Sequence, residues 1–331
     1  MIFENVELHN VVEIEEQRGV PGVMLRRIPR KIREQLGTRG RFVSAWASGC
    51  EVRFVTESPV IRISLFSEVA ADVTVNCGDF QHSRHKLAAG AVTTLQLDYP
   101  QSFNNVRKDA LHRSFSPKVW RFGFDRDTSF VGVEAYGFDV RPPNPDEKPA
   151  KRWLAYGSSI TNSNFETGYP HVAARMLGVD VYNVGLSGAC RMEGAMVDFL
   201  ASRADFDFVT AELGVNVRGE YSVEEFRTRA AYLIDRFLSA NPDMPLAIIT
   251  HFQTGQSHPL NETPVVAAQR AFDQVLRDLV DARRRPNLHL IEGASILDRF
   301  DLLSIDLVHP TSVGQVRMGM NLASRLLEII Q

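Results

Sequence analysis

Four short stretches in the second half of the chain carry side chains suited to acyl chemistry. Gly157-Ser158-Ser159-Ile160-Thr161 places hydroxyls directly after an apolar run that begins at Trp153. Asn183-Val184-Gly185-Leu186-Ser187-Gly188 and Leu213-Gly214-Val215-Asn216 close two further apolar runs. Asp306-Leu307-Val308-His309-Pro310 stands just before the last helical pattern. In chain order they offer a hydroxyl nucleophile, a glycine N–H, a carboxamide, and a carboxylate three residues before an imidazole. Serine-based acyl chemistry needs this set: a base to take the hydroxyl proton, an acid to orient the base, and donors for the oxyanion. Singly each is common, since a serine after a strand often caps a helix and Asp-x-x-His is often a surface pair. Together they fall at the ends of different elements.

Those elements follow from the hydrophobic pattern. Residues 153–157, 181–184, 206–213, 245–250 and 288–291 read as short, mostly apolar strands. Residues 169–177, 192–201, 264–284 and 312–330 read as helices. A further helix starts at Ser222, where Ser222-Val223-Glu224-Glu225 has the spacing of a capping box. Its apolar stripe is Val223, Phe226, Ala230, Leu233 and Phe237, and that of the last helix is Val313, Val316, Met320, Ala323, Leu327 and Ile330. Near-continuous apolar strands with helices between them imply a parallel sheet covered on both faces, with a site outside the carboxyl ends of the strands.

Upstream the period changes to two. Residues 50–56, 60–66, 71–76, 92–97, 119–124 and 130–138 alternate apolar and polar, separated by turn residues such as Gly78 and Gly90. This predicts an antiparallel β-sandwich. The basic run 26–33 reads as a solvated surface segment, with a short helix after Pro29, and 98–118 as a long polar loop. Pro142, Pro143, Pro145 and Pro149 fall within nine residues, which predicts an extended linker. The expected division is a β-sandwich over 1–143, a linker over 144–149 and an α/β domain over 150–331.

The four blocks resemble those of the SGNH, or GDSL-type, serine hydrolases, over residues 150–331. The family's Gly-Asp-Ser block corresponds to Gly157-Ser158-Ser159, its Asn-x-Gly-x-Ser-Gly block to residues 183–188, its Gly-x-Asn-Asp block to Gly214-Val215-Asn216-Val217, and its Asp-x-x-His-Pro block to residues 306–310. The resemblance implies a three-layer, flavodoxin-like α/β domain. It implies Ser159 as nucleophile, His309 as base and Asp306 as its orienting acid. It also implies an oxyanion hole made by the N–H groups of Ser159 and Gly188 and the side chain of Asn216. Ser158 and Val217 each replace a family aspartate, so the hydrogen bonding beneath the site is expected to differ. A sandwich ahead of such a domain, jelly-roll-like, is similar to some carbohydrate acetyl-esterases and to some acyltransferases of secondary metabolism. The expected reaction is removal of a short acyl group, such as acetyl, from a carbohydrate or related alcohol. The alternative is transfer of an acyl group from a thioester donor to a hydroxyl.

Gln253 and Thr254, after the fourth strand, are candidates to line an acyl or alcohol pocket. His251 and His171 read as structural, His258 as a loop residue of no clear role, and Cys190, two residues past Gly188, as a thiol with no base to make it a second nucleophile. Trp46 and Trp120 are core candidates that could also stack on a sugar. The chain has 331 residues and a net charge of −3, which argues against a nucleic-acid partner. Three widely spaced cysteines suggest reduced thiols, and no His/Cys/Asp set has metal-ligand spacing. Neither a cofactor nor a metal is expected. No signal peptide and no apolar run of membrane-spanning length are read, so the expected location is cytoplasmic.

Overall fold

A computed structural model describes residues 1–330. The N-terminal domain contains eleven strands: β1 (Ile2–Phe3), β2 (Val6–His9), β3 (Glu13–Glu15), β4 (Val23–Arg26), β5 (Glu51–Val55), β6 (Val60–Ser67), β7 (Ala71–Cys77), β8 (Phe80–Leu87), β9 (Ala91–Asp98), β10 (Val119–Phe124) and β11 (Ser129–Glu134). They form two sheets, ordered β1-β2-β5-β10-β7-β8 and β3-β4-β11-β6-β9, with every pairing antiparallel. Inward-facing Val52, Phe54, Ile61, Ile63, Val73, Val75, Trp120 and Phe122 fill the core between them. Trp120 is fully buried there.

The C-terminal domain is built on a parallel sheet. Its elements are β12 (Arg152–Gly157), α4 (Tyr169–Leu177), β13 (Asp180–Gly185), α5 (Gly194–Ala201), β14 (Phe208–Glu212), α6 (Val223–Ala240), β15 (Leu246–Ile249), α7 (Pro264–Arg283), β16 (Leu288–Ile291), α8 (Gly293–Ile296) and α9 (Ser312–Leu327). Three short helices, α1 (Arg30–Arg33), α2 (Thr38–Ser44) and α3 (Lys108–Leu111), belong to the N-terminal half. The sheet order is β13-β12-β14-β15-β16. Successive residues of β12 point to opposite faces: Leu154 and Tyr156 pack with α5, α6 and α7, and Trp153 and Ala155 with α4 and α9. Strand order reverses at β12, which is where an open α/β sheet leaves a crevice.

The two domains meet along β13, an edge strand. Side chains from the N-terminal domain take up its outward carbonyls: His9 Nε2 donates to Val181 at 2.9 Å, and Asn10 Nδ2 and Arg27 Nη1 to Asn183 at 2.9 and 3.1 Å. Beside them the fully buried Arg53 binds both carboxylate oxygens of Asp180 at 2.7 Å and also reaches Glu51. A free sheet edge is a template for unwanted pairing, and these contacts close it.

Several elements differ from the sequence reading. Residues 26–33 are not a solvated surface segment, although α1 does follow Pro29. Arg26, Arg27 and Ile28 are buried, and Ile28 joins the core shared with the parallel sheet. Charge-run reasoning fails because each arginine finds an acceptor, Arg26 for instance binding Glu15 at 2.7 Å. The period-two pattern does not mark β1 to β4 or β8. The first four are short, and β8 (FQHSRHKL) is mostly polar on an open face. The proline-rich segment is not wholly extended, since Pro145–Glu147 form a 3-10 turn capped by Asn144. On α6, Ser222 accepts the N–H of Glu225, but the Glu225 carboxylate turns to Arg229 and Val223 is exposed.

On α9 the buried face is Gly314, Gln315, Met318, Gly319, Leu322, Ala323 and Leu326, while Val313, Met320 and Leu327 are exposed. Gly319 explains the rotation. A Cβ there would lie 2.5 Å from Val172 Cβ, so α9 presses its smallest residues onto α4. A count of apolar side chains cannot register that contact.

Candidate active site

Ser159 follows β12 in a tight turn, with its side chain partly exposed at the carboxyl end of the sheet. Its Oγ lies 2.7 Å from His309 Nε2. His309 Nδ1 lies 2.7 Å from Asp306 Oδ2. A carboxylate only accepts, so Nδ1 carries the ring proton and Nε2 accepts from the serine hydroxyl. The other Asp306 oxygen accepts from Ser304 Oγ at 2.7 Å and from the N–H groups of Val308 and His309, both at 2.9 Å. Desolvation works against the Asp306 charge. The N–H and ring of His309, with Val308 and Ser304, outweigh it and hold the carboxyl well below the usual range. Leu307 adopts a positive φ of 54°, which lets the loop fold back between Asp306 and His309.

The second and third blocks converge on the same point. Gly188 has φ 70°, a left-handed conformation that glycine adopts without strain. The N–H groups of Ser159 and Gly188 have no acceptor among the described residues. Asn216 Oδ1 accepts the N–H of Cys190 at 3.0 Å, which fixes the amide so that its NH₂ is the group left over. Asn183 ties the first two blocks together, its Nδ2 donating to Thr161 O at 2.7 Å and its Oδ1 accepting from Gly185 N at 2.9 Å. Ser159, Gly188, Asn216 and His309 line one cleft of about 460 Å³.

Support beneath Ser159 comes from residues that no sequence motif singles out. Glu212, buried at the end of β14, accepts from Ser158 N at 2.7 Å and Thr161 Oγ1 at 3.2 Å. Gln315 of α9 donates to Ile160 O at 3.2 Å and accepts from Tyr169 N at 2.8 Å. Ser158, where the family has aspartate, is itself buried and caps Ile160 N. Val217 is buried in the core.

Other candidates lie elsewhere. Gln253 and Thr254 do not line the cleft. Thr254 is buried and approaches it only through Arg218, whose Nη1 lies 3.5 Å from its hydroxyl. His251 is buried, with Nδ1 on Asp273 at 2.7 Å and Nε2 unpartnered, so it is only half satisfied. Burial pushes the Cys190 thiol well up, and its Sγ rests on Glu212 O. The 98–118 segment carries a 3-10 turn and α3 and borders a separate cavity with Tyr99 and Phe103. The N-terminal domain does reach the cleft, through Arg39, Trp46 and Arg126. No local motif marks these three, because each is brought in by domain docking.

His9, Glu51 and Asp180 offer ligand atoms within 4.8 Å of one another. Arg53 bonds to both carboxylates and supplies the charge that a cation would bring. No helix of the described residues is long and apolar enough to cross a membrane.

Comparison with solved structures places the two-domain fold among known enzymes. The salicylyl-acyltransferase SsfX3 from a tetracycline biosynthetic pathway is similar with a TM-score of 0.80 at 15% identity, over 98% of this chain and 96% of that one. A putative GDSL-like lipase from Bacteroides ovatus gives 0.65 at 15%, over 98% and 97%. A family two carbohydrate esterase from Clostridium thermocellum, in complex with cellohexaose, gives 0.62 at 13%, over 85% and 92%. At such identities the likeness is one of fold. A comparison with curated protein sequences gives no match. The GDSL-like lipase/acylhydrolase family profile matches residues 150–327, more than half of the chain. With all four sequence blocks gathered around one cleft, the chain belongs to the GDSL-like lipase/acylhydrolase family.

Proposed function

We propose that this protein cleaves a carboxylic ester through an acyl-serine intermediate on Ser159. The observation that carries the reading is the chain of two 2.7 Å contacts, Ser159 Oγ to His309 Nε2 and His309 Nδ1 to Asp306 Oδ2. His309 takes the hydroxyl proton as Oγ attacks the carbonyl carbon. The oxyanion that forms is held by the N–H groups of Ser159 and Gly188 and by Asn216 Nδ2. The imidazolium, steadied by Asp306, then protonates the departing alcohol. Water, activated by the same imidazole, releases the acid. The substrate is a short-chain acyl ester, such as an acetyl ester, of a carbohydrate or related alcohol.

The second reading is acyl transfer from a thioester donor to a hydroxyl, with an alcohol replacing water in the last step. Trp46 in the cleft wall supports this reading, since an aromatic face beside Ser159 seats an accepting alcohol as readily as a leaving one.

The test is turnover of a chain-length series of aryl esters, with and without alcohol acceptors. Ser159→Ala and His309→Ala are expected to lose at least about 10³-fold in kcat, and Asp306→Asn about 10²- to 10⁴-fold. Retention of more than a trace of activity by pure Ser159→Ala protein refutes the assignment. Brisk hydrolysis indifferent to acceptors supports the esterase. Slow hydrolysis with acylated alcohol as product supports the transferase.

A further inference from the structure

Three arginines, Arg39, Arg126 and Arg218, line the cleft at Ser159, and none pairs with a carboxylate among the described residues. Their neighbour Arg191 does, at 2.6 Å from Glu220. Arg126 lies in the turn between β10 and β11, flanked by two acids engaged elsewhere. Asp125 accepts the N–H of Asp72 at 2.8 Å, and Asp127 pairs with Arg26 at 2.6 Å. The Arg126 guanidinium is left over the Trp46 ring, 4.8 Å from its centroid. Arg39 flanks the same ring at 5.8 Å. Its Nε donates to Ser187 O at 3.0 Å, and its terminal nitrogens have no partner. Arg218 is half-buried and held only by neutral acceptors, Gln269 Oε1 at 2.6 Å and Thr254 Oγ1 at 3.5 Å.

Arg39 and Arg126 are exposed at the rim and Arg218 is half-buried, and the fold supplies none of the three with a carboxylate partner, so the cleft wall carries charge of one sign. No acid lines the cleft among the described residues, and Asp306 is committed to His309 and Glu212 to Ser158 N. The unbalanced charge therefore faces whatever enters the cleft. Guanidinium forks match carboxylate and phosphate alike, and the indole between two of them offers an apolar face to the group that bears the anion.

We infer that the cleft takes an ester or thioester bearing a carboxylate or phosphate away from the scissile bond, and that Arg39 and Arg126 bind this anion beside Trp46. This rests on the acyl-serine reading of Ser159, and the test separates the two.

In the turnover arm, 4-acetoxybenzoate and 4-acetoxyphenyl phosphate are compared with the neutral methyl 4-acetoxybenzoate. The anionic-to-neutral ratio of kcat/KM is expected to fall at least about tenfold in Arg126→Gln and in Arg39→Gln, chiefly through KM, with partial recovery in Arg126→Lys. A response of one anionic ester alone assigns the group as carboxylate or phosphate. In the binding arm, Ser159→Ala protein is titrated calorimetrically with benzoate, phenyl phosphate and benzamide. The anions are expected to bind at least about tenfold tighter than benzamide, and to lose that margin when Arg126→Gln is added. Equal losses on anionic and neutral esters, or equal binding of all three probes, overturn the inference. Arg126-dependent anion binding without Ser159-dependent turnover leaves the anion site standing and sinks the esterase reading.

Discussion

The backbone N–H of Ser158 donates to Glu212 Oε2 at 2.7 Å, so a buried carboxylate at the end of β14 holds the turn that presents Ser159 at the end of β12. The family's aspartate is absent at position 158, and the neighbouring strand supplies the acid that steadies this turn.

Glu212→Ala strips the acceptor from a buried N–H, which costs about 1–3 kcal/mol. Denaturant midpoints are expected to fall accordingly, and kcat with an aryl ester to fall with them because the nucleophile turn loosens. Glu212→Gln keeps an oxygen in place and is expected to lie closer to wild type in both. Unchanged stability of Glu212→Ala would show that the turn is held by other contacts.

Asn216→Ala removes the one side-chain donor assigned to the oxyanion. Loss of such a donor is worth about 10²- to 10³-fold in kcat, with KM little changed. A mutant affected mainly in KM would move Asn216 to ground-state binding.

His171 is buried between the domains, near Glu51, Arg121 and Arg175, and burial lowers its pKa from 6.5 to about 3. The unfolded chain takes up this proton as the pH drops through 6.5, and the folded protein refuses it until about pH 3. Stability is therefore complete above pH 6.5 and is lost progressively below it, on the order of 1 kcal/mol per pH unit from this group. His9, also lowered by burial, adds in the same direction. Thermal melts from pH 7.5 to 4.5 are expected to show a shallower decline in His171→Phe than in wild type. Parallel curves would remove His171 as the cause.

Arg53→Met strands Asp180 in the domain seam, whereas Glu51 keeps Arg121 at 2.8 Å, and breaking a buried pair in this way costs about 3–5 kcal/mol. The measurement is chemical denaturation followed by Trp fluorescence. A loss below about 1 kcal/mol would mean that water reaches the seam.

The four blocks of the candidate site are legible in the sequence because each side chain is tied to a strand end, and strand ends are set by local apolar runs. Ser159, Gly188, Asn216, Asp306 and His309 could thus be gathered without knowing how the domains dock. The rim is different. Arg39, Trp46 and Arg126 come from a loop-rich domain whose approach is decided by tertiary contacts, and nothing within a few residues of any of them signals a site. Arg27 shows the same limit, since a run of arginines looks solvated until its acceptors on β13 are in view. The rotation of α9 about Gly319 shows that glycine can define a packed face as firmly as leucine.

The polar seam on β13 also bears on how such a protein can be altered by recombination. His9, Asn10, Arg27 and Arg53 address particular carbonyl and carboxylate oxygens on that strand, so the N-terminal domain is not an interchangeable module. A chimera that joins this α/β domain to a sandwich lacking counterparts of Arg53, Arg39, Trp46 and Arg126 would carry Asp180 into a seam with no arginine to meet it. It would also lose the wall of the cleft. Changes at the two ends of that contact must therefore be inherited together, and shuffling experiments should cut elsewhere than between them.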